Sequence, residues 1–293
     1  MPKIPSISVI IPTLNRPEDL RRALISLALQ TDPAEEILVI DQSADDKTKN
    51  VVAEMKEKYP SVLDGLSYCY FKERSSAKAR NHGIRIARGD ILSFLDDDIE
   101  LFPNYFEKVR NYFVKETSLG GLSGDTLVKE KCAGIKWELR KLLLRFFLLS
   151  FWDGKMTPSG FGYPIYEREI DQEIEVELLP GCNMNVRKNL IDGGFDDRFV
   201  GYSFREDVDF CYRISRKAKL QMVPDAKLWH HFSSGNRLDA KSLKKMQRKN
   251  YDFVARKHKK GFFSRALFYY SLMGLAFIDG VETFFKLISG RSS

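Results

Sequence analysis

The sequence lacks the cysteine patterns that build metal modules and disulfide frameworks. Its 293 residues include four cysteines, and no two of them form a CxxC pair. They are Cys69, Cys132, Cys182 and Cys211. This scatter argues against both a zinc module and a disulfide-stapled scaffold. We therefore expect the body of the protein to remain in a reducing compartment and not to be exported.

Long apolar runs and glycine-rich phosphate loops are also missing. The run 7–11 ends at Pro12 and is shorter than the core of a signal peptide or a membrane span. The run 266–278 has thirteen uncharged residues, whereas a spanning helix needs about 20 apolar ones. The segment 13–17 (TLNRP) contains no glycine, and the sequence shows neither a P-loop nor a dinucleotide fingerprint.

The positive charge is concentrated in one segment. The chain has 47 basic and 40 acidic residues, a net charge of +7. The segment 237–265 holds eleven Lys and Arg against Asp239 and Asp252, which gives +9, so the rest of the chain sums to −2. We therefore expect this segment to contact an anionic surface, and we do not expect a nucleic-acid-binding protein.

Strand-like and helix-like segments alternate along the first third of the chain. Apolar runs at 7–11, 37–40, 66–71 and 91–95 are separated by segments with helical spacing, the first of which begins at Pro17. This alternation predicts an α/β fold with a mostly parallel sheet covered by helices on both faces. Ligands of such sheets bind at the carboxyl ends of the strands.

The domain organisation is expected to have two parts. An α/β domain would occupy 1–236, with an insertion at about 132–170, and a basic and apolar helical extension would occupy 237–293. The segments 136–152 and 266–288 combine aromatic residues and leucines with Lys and Arg, which is typical of helices in a membrane interface. The alternative is that they pack on each other or on a partner subunit.

Three adjacent carboxylates follow the apolar strand 91–95. Asp96, Asp97 and Asp98 repel one another, so folding them together favours a bound cation. Asp96 and Asp98 can face the same side, because alternate residues of an extended segment do so. Oxygen ligands of this kind suit Mg²⁺ or Mn²⁺ held together with substrate phosphates. The alternative is a solvated acidic turn before Pro103.

Polar residues also follow the other predicted strands. Asp41 ends the second strand and is a candidate acceptor for N–H groups of a nucleobase, or a simple turn residue. Thr13 and Arg16 follow the first strand and are placed to line a nucleoside pocket. The run 75–83 places Arg80 where it can neutralise a diphosphate, unless this run is an exposed helix face.

Five segments between about Ser8 and His231 form a larger pattern. They are SVIIPTLNRPEDLRRALISL (8–27), EILVIDQS (36–43), AKARNHGIRIARGDILSFLDDD (77–98), PGCNMNVRK (180–188) and FREDVDFCYRI (204–214). In this order they resemble the motifs of the inverting glycosyltransferases of family 2. The resemblance covers most of the chain and implies the GT-A fold, which is Rossmann-like, and a nucleotide-diphosphate sugar donor.

The resemblance also implies roles for individual residues. The donor-binding residues would be Thr13, Arg16, Asp41, Arg80 and Asp96, and the acceptor-side residues would be Asn183 and Glu206. Asp98 would ligate a Mg²⁺ or Mn²⁺ ion that bridges the donor diphosphate, and Asp207 would be the catalytic base. His230 resembles the additional metal ligand of many members. We prefer it to His231, because adjacent side chains normally point apart.

The chemistry of sugar transfer needs these parts. The acceptor hydroxyl loses a proton as it attacks the anomeric carbon, and one carboxylate such as Asp207 supplies the base. A metal ion and Arg80 can stabilise the charge that develops on the leaving diphosphate. A single displacement inverts the anomeric configuration, as in one-step glycoside hydrolysis.

The apolar and basic segments indicate where the reaction takes place. We expect a lipid-linked or saccharide acceptor and a peripheral position at the cytoplasmic face of an anionic membrane, and a homo-oligomer is left open. Two other hypotheses are a sugar nucleotidyltransferase and a non-catalytic, membrane-bound scaffold for glycan assembly. The missing glycine-rich loop counts against the first, and the retained Asp98 and Asp207 count against the second.

Overall fold

The structure is a computed structural model and describes residues 3–128, 134–166, 168–233 and 239–288. The strands are β1 (Ile7–Thr13), β2 (Glu36–Asp41), β3 (Leu66–Tyr70), β4 (Ile91–Leu95), β5 (Ile99–Leu101), β6 (Leu119–Leu127), β7 (Ile174–Val176), β8 (Asn183–Arg187) and β9 (Lys219–His230). The helices are α1 (Pro17–Ala28), α2 (Lys47–Lys58), α3 (Ser76–Ile86), α4 (Tyr105–Lys115), α5 (Ile135–Phe146), α6 (Glu206–Ser215), α7 (Ala240–His258) and α8 (Phe262–Ile288).

These strands form one mixed sheet. Its order is β3-β2-β1-β4-β8-β6-β9-β5, and β7 pairs with β9. The half that contains β1 to β4 is parallel throughout. In the other half, β8 runs antiparallel to both β4 and β6, whereas β6 and β9 are parallel. The predicted α/β fold is confirmed, and the antiparallel pairs come from the later part of the chain, where the alternation of strands and helices is broken.

Helices cover both faces of the sheet because β1 to β4 are apolar on both sides. Along β1, Val9 and Ile11 belong to a core shared with α1, α2 and α4. Ile10 points the other way, into a core shared with α3 and α6. Burial on both faces explains why these strands have continuous apolar sequences and not alternating ones.

The carboxyl ends of the strands bring the predicted site residues to one edge. Within the parallel half, β1 ends at Thr13 and β2 at Asp41, and these two residues are partners in the register. Next to β1, β4 ends at Leu95. The carboxylates that follow Leu95 therefore emerge beside the end of β1, as the topology rule for open α/β sheets requires.

A third apolar core lies outside the sheet. It joins Leu144 of α5, Leu149 and Phe161 to α7 and α8, through Tyr251 and Phe268 among others. The expected insertion and the expected extension are therefore packed together, with a shared core. Cys132 and the boundary expected between residues 236 and 237 lie outside the described residues. Within those residues, no helix is both long and apolar enough to cross a membrane.

Close packing of α5 and α8 depends on a glycine. Gly274 of α8 lies against Phe147, and a Cβ at this position would be 2.1 Å from the Cγ atom of the phenylalanine ring. Phe147 also contacts the rings of Tyr270 and Phe277, with centroid distances of 5.5 and 5.9 Å. The two helices therefore approach each other more closely than any larger residue would allow.

A buried carboxylate attaches α7 to α6. The side chain of Asp209 on α6 is fully buried. Its Oδ1 lies 2.7 Å from His258 Nε2, and its Oδ2 accepts a hydrogen bond of 2.9 Å from Lys257 Nζ. Arg213 donates to the same carboxylate at 3.1 Å. Three cationic or polar groups thus compensate one buried charge, which fixes α7 to the helix that begins with the acidic pair 206–207.

Candidate active site

A cavity of about 760 Å³ lies at the carboxyl edge of the sheet. Part of its lining follows the strands, and we call this set the strand-end wall: Thr13, Arg16, Gln42, Asp96, Asp97 and His230. A second set comes from α5, from residues 150–166 and from α8, and we call it the helical wall: Trp137, Leu144, Trp152, Tyr163, Leu275 and Ile278. Arg80, Glu206 and Asp207 line the same cavity.

The three adjacent carboxylates predicted after β4 have different partners. Asp97 turns toward the first loop, where it accepts hydrogen bonds from Thr13 Oγ1 at 2.7 Å and from Arg16 Nη1 at 3.2 Å. Burial raises the pKa of Asp97 to about 7, although Arg16 and Thr13 oppose the shift. Thr13 and Arg16 are therefore fixed by Asp97, beside the end of β1.

Asp96 and Asp98 form a potential metal site with His230. Each residue offers one ligand atom, and these three atoms lie within 4.8 Å of one another. Asp98 Oδ1 is 2.9 Å from His230 Nε2, and Asp98 Oδ2 accepts a hydrogen bond from the Ser233 N–H. Burial would raise the pKa of Asp98, but the contacts with His230 and Ser233 outweigh it and hold the pKa below its usual value. The carboxylate is thus ionised, as a metal ligand must be.

The two adjacent histidines point to different partners. His230 faces Asp98, and its Nδ1 contacts the Tyr166 hydroxyl. His231 Nε2 instead lies 3.0 Å from Glu100 Oε2, outside the cavity lining. The Tyr166 contact holds the orientation of the His230 ring in the way that hydrogen bonds to metal-bound histidines usually do. Sequence patterns did not single out Tyr166, since it lies in the segment that they assign only to an insertion.

Arg80 connects the metal site to the acidic pair on α6. Its Nη1 donates to Glu206 Oε1 at 2.6 Å, and its Nη2 donates to Asp96 Oδ1 at 2.9 Å and to the Gly181 carbonyl at 3.2 Å. Only 3% of Arg80 is exposed. The structure therefore gives Arg80 protein partners at these two nitrogens, whereas the sequence predicts that it assists on the donor side.

Asp207 is held at the start of α6. Its Oδ2 accepts a hydrogen bond from the Gly181 N–H at 3.1 Å, and its Oδ1 accepts one from the Val208 N–H at 2.8 Å. Burial raises the pKa of Asp207 above its ordinary value. A Cβ at Gly181 would lie 3.1 Å from Asp207 Oδ2, so a larger residue there would crowd the carboxylate. A fixed carboxylate with a raised pKa suits a general base.

Glu206 has a different environment from its neighbour Asp207. Its carboxylate is buried and contacts Arg80, yet burial outweighs this attraction and raises the pKa of Glu206 to about 8. The residue lines the cavity, where the sequence predicts an acceptor-side residue. The two adjacent acids therefore differ in their partners, Arg80 for Glu206 and backbone N–H groups for Asp207.

Three predicted site residues are not among those that line the cavity: Asp98, whose contacts are given above, Asp41 and Asn183. Asp41 is fully buried, and its side chain accepts hydrogen bonds of 2.9 Å from Tyr68 Oη and from the Ser43 N–H. Its neighbour Gln42 lines the cavity instead.

Asn183 is also fully buried, and its amide donates to the Gly124 carbonyl and to Thr126 while its oxygen contacts Tyr105. The polar atoms of Asn183 are thus used inside the sheet.

Arg205 is a cavity residue that the sequence analysis did not select. It precedes the acidic pair, is 3% exposed and has a left-handed backbone conformation with φ of 74°. The sequence signal that could have identified Arg205 was a positive charge directly before two acids. This pattern, however, is also typical of a local ion pair. In the structure Arg205 instead packs against Tyr251, 4.4 Å from the ring centroid.

Comparison with known proteins shows where the chain belongs. It is 24% identical over 240 residues to a probable glycosyltransferase of Bacillus subtilis, YdaM, which covers 78% of this chain and 51% of that protein. It is 26% identical over 204 residues to a Methanococcus voltae protein named dolichyl N-acetyl-alpha-D-glucosaminyl phosphate 3-beta-D-2,3-diacetamido-2,3-dideoxy-beta-D-glucuronosyltransferase, covering 64% of this chain and 62% of that one. The chain thus spans less than two thirds of the length of these relatives.

A solved structure and a family model complete the comparison. The fold is similar to that of the mannosyltransferase PcManGT from Pyrobaculum calidifontis in complex with GDP-Man and Mn²⁺, with a TM-score of 0.59 and 16% identity over 95% of this chain and 76% of that one. This likeness shows the GT-A fold. The model of glycosyl transferase family 2 matches residues 8–174, more than half of the chain. The chain therefore belongs to glycosyl transferase family 2.

Proposed function

We propose that the chain transfers a sugar, with inversion, from a nucleoside diphosphate sugar to a hydroxyl group of a lipid-linked saccharide. The observation that carries this proposal is the meeting of two groups in one cavity. The first group is the set Asp96, Asp98 and His230, whose ligand atoms lie within 4.8 Å of one another and of which Asp96 and His230 line the cavity. The second is the buried base candidate Asp207, which lines the same cavity. Arg80 touches both groups through Asp96 and through the Asp207 neighbour Glu206.

The donor is proposed to bind along the strand-end wall. Thr13 and Arg16 are held there by Asp97, and Gln42 offers an amide beside them. Asp41, although buried, fixes the backbone of the Gln42 loop through the Ser43 N–H. The solved mannosyltransferase that resembles this fold holds GDP-Man, and this likeness supports a nucleoside diphosphate sugar as the donor.

A divalent metal is proposed at Asp96, Asp98 and His230. Two carboxylates and one imidazole are a donor set that suits Mg²⁺ or Mn²⁺ together with phosphate oxygens. Such an ion, when bound, supplies positive charge that stabilises the leaving diphosphate. The solved mannosyltransferase contains Mn²⁺, which supports a metal at this edge of the fold without identifying the ion.

The transfer step is proposed to use Asp207. The acceptor oxygen forms a bond to the anomeric carbon while the bond from that carbon to the diphosphate oxygen breaks. The hydroxyl proton passes to the Asp207 carboxylate, and the nucleoside diphosphate leaves with the electron pair of the broken bond. Because the attack is a single displacement from the opposite face, an α-linked donor gives a β-linked product.

The outer faces of α5 and α8 are proposed to lie on an anionic membrane. Ile135, Leu139, Leu142 and Phe146 are exposed at helical spacing along α5, with exposed fractions of 53–87%. Phe262, Tyr269, Met273 and Phe277 are exposed along α8. The neighbouring α7 is strongly basic. Apolar and basic helices of this kind bind membrane interfaces, and this supports a peripheral position at the cytoplasmic face.

The experiment that tests the reaction is thermal unfolding with nucleotides. UDP, dTDP, GDP and CMP are each added with and without Mn²⁺. A nucleotide at 100 times its Kd stabilises the fold by about 2.7 kcal/mol, which raises the Tm by several degrees. We expect one nucleoside diphosphate to act, and only with the metal. A sugar nucleotidyltransferase would instead release pyrophosphate from a nucleoside triphosphate and sugar phosphate, and a scaffold would bind no nucleotide.

The membrane position is tested by sedimentation with vesicles that contain anionic lipid. The double substitution Phe262→Asp and Phe263→Asp should release the protein into the supernatant, because both side chains are exposed on α8. The substitution Leu29→Asp alters an exposed leucine at the end of α1 and should leave binding unchanged. If the double variant still sediments with the vesicles, or forms a smaller oligomer in their absence, α8 contacts the protein or a second copy and not lipid.

A further inference from the structure

Arg205 carries a buried positive charge beside the proposed base. The residue directly precedes the acidic pair Glu206 and Asp207, and its side chain lines the cavity with only 3% of the residue exposed. Its Nη1 donates to the Gly162 carbonyl at 3.0 Å. Within the described residues no carboxylate forms an ion pair with Arg205, and its Nε and Nη2 have no hydrogen-bond partner.

The other buried arginines of the structure are compensated. Arg80 has Glu206 and Asp96 within 2.9 Å. Arg110 has Asp32 and Glu35 within 3.0 Å. Burying a guanidinium without an anion is costly, and proteins avoid it unless a ligand supplies the anion. Arg205 attracts the nearby Asp207 without forming an ion pair with it, so its two unpaired nitrogens point to a missing anion that accepts hydrogen bonds.

The surroundings of Arg205 determine which anion fits. Its guanidinium lies 4.4 Å from the ring centroid of Tyr251 and 5.6 Å from that of Tyr163. The two hydroxyl groups of these tyrosines are hydrogen-bonded to each other at 2.7 Å. This pair packs against the cation and supplies no hydrogen-bond acceptor to its edge with Nε and Nη2. Arginine binds phosphate through such an edge.

Apolar side chains line part of the cavity that Arg205 also lines. The helical wall contributes Leu144, Trp152, Leu275 and Ile278, and Phe204 adjoins Arg205 in the chain. An anion alone would gain nothing from these side chains, whereas an anion attached to a hydrocarbon chain would bury it against them. The combination of one phosphate-binding edge with an apolar wall thus fits an amphiphile with a phosphate head.

We propose that Arg205 binds the phosphate or pyrophosphate of a prenyl-type lipid acceptor and that the helical wall holds the first part of its hydrocarbon chain. This inference rests on the proposed function and names the group that its acceptor site recognises. With the phosphate held by the residue that precedes the acidic pair, the acceptor is fixed close to Asp207. Arg205 is thus a binding residue that determines acceptor specificity.

The test measures binding without transfer. The full chain, with a chelator and without donor, is titrated with farnesyl phosphate, farnesol or inorganic pyrophosphate, and tryptophan fluorescence is recorded. Trp137 and Trp152 line the cavity, whereas the third tryptophan, Trp229, lies on β9 and is 36% exposed. We expect farnesyl phosphate to bind at least tenfold more tightly than either farnesol or pyrophosphate, because only it provides both the charge and the chain.

Substitutions of Arg205 assign the binding to this residue. Arg205→Gln should weaken farnesyl phosphate binding about tenfold or more, the usual effect of removing a hydrogen bond to a charged group, and leave farnesol binding unchanged. Arg205→Lys keeps the charge and should restore part of the affinity. Arg198→Gln is the matched control: Arg198 is exposed, is paired with Asp196 and also stacks on an aromatic ring, at 3.9 Å.

Each outcome decides the proposal. Equal binding of farnesol and farnesyl phosphate to the wild-type chain would overturn it, as would unchanged affinity in Arg205→Gln. Pyrophosphate that binds as tightly as farnesyl phosphate would show a site for a free anion and not for a lipid. If Arg205→Gln does not fold, the wild-type titrations and Arg205→Lys give the result. A separate titration with nucleotide and Mn²⁺ distinguishes failure here from failure of the proposed sugar transfer.

Discussion

The two walls of the cavity differ in how their polar groups are satisfied. In the strand-end wall, Asp97 holds Thr13 and Arg16, and Asp98 contacts His230. In the helical wall, Trp152 Nε1 has no hydrogen-bond partner among the described residues. Two nitrogens of the adjoining Arg205 also have none. The polar groups named in the first wall are paired within the protein, whereas the second wall and the adjoining Arg205 have donors without a partner.

This difference separates two kinds of experiment. Changes in the strand-end wall should affect the donor and the metal, and changes in the helical wall should affect the acceptor. Arg80, Glu206 and Asp207 also line the cavity, but they belong to neither wall. The following predictions test whether the two walls can be altered independently, beginning with the largest expected effect.

Removal of the proposed base should have the largest effect. Asp207→Asn should lower the rate of transfer about 10²- to 10⁴-fold, the usual contribution of a general base, and leave donor affinity unchanged. Single-turnover transfer and calorimetric titration of the donor measure the two quantities. The raised pKa of Asp207 also predicts that wild-type activity falls on acidification at a higher pH than an ordinary aspartate would give. Normal transfer by Asp207→Asn would show that the base is another group.

The two histidines provide a matched pair for the metal site. His230→Gln should weaken metal-dependent donor binding about 10- to 100-fold, as the loss of a ligand or its support usually does. Asp98→Asn should abolish it. His231→Gln should have no effect, because His231 contacts Glu100. Titration of the nucleotide at several Mn²⁺ concentrations gives the result, and equal effects of the two histidine substitutions would contradict the assignment.

Two glycines of α8 test the helical wall. Gly274→Ala places a methyl group 2.1 Å from the Phe147 ring, and overpacking of this kind costs about 1–3 kcal/mol. We expect a lower Tm and weaker acceptor use with donor affinity retained. Gly280→Ala is the control, since its methyl group meets nothing within 4 Å, and it should stabilise the helix slightly. A loss of donor affinity in Gly274→Ala would show that the walls are not independent.

The last prediction is a pH dependence of stability. Burial raises the pKa of Glu206 from 4.5 to about 8 in the folded chain. The protonated Glu206 side chain therefore contributes its full stability below pH 4.5. This contribution is lost as the pH rises through about 8. Between these values the Tm of the wild type should fall by a few degrees more than that of Glu206→Gln. Glu18→Gln, at an exposed position, is the control, and parallel Tm curves for all three proteins would exclude the raised pKa.

The strand-end wall was largely predictable from the sequence. A carboxylate directly after a buried strand must emerge at the carboxyl edge of the sheet, and this places Asp96 to Asp98 without knowledge of distant contacts. The same reasoning fails for Asp41, because it does not show that Tyr68 and Ser43 use the carboxylate. It fails again for Asn183, whose amide is consumed by β6 and by Tyr105.

The helical wall could not be predicted, because it is formed by residues far apart in the chain. Tyr166 reaches His230 across 64 positions, and Arg205 meets Tyr163 and Tyr251 from two separate segments. Periodicity shows that α5 and α8 have apolar faces, but it does not show which face meets which. The partners of these helices are set by packing in three dimensions.

The third core has a consequence for exchanging parts between relatives. Leu144 and Phe161 interlock there with Tyr251 and Phe268 from α7 and α8, and Asp209 attaches α7 to the helix that begins with the acidic pair. A graft of α8 alone would bring one half of an interface without its complement. A chimera with altered acceptor preference must therefore carry α5, the 149–166 segment, α6, α7 and α8 from the same parent.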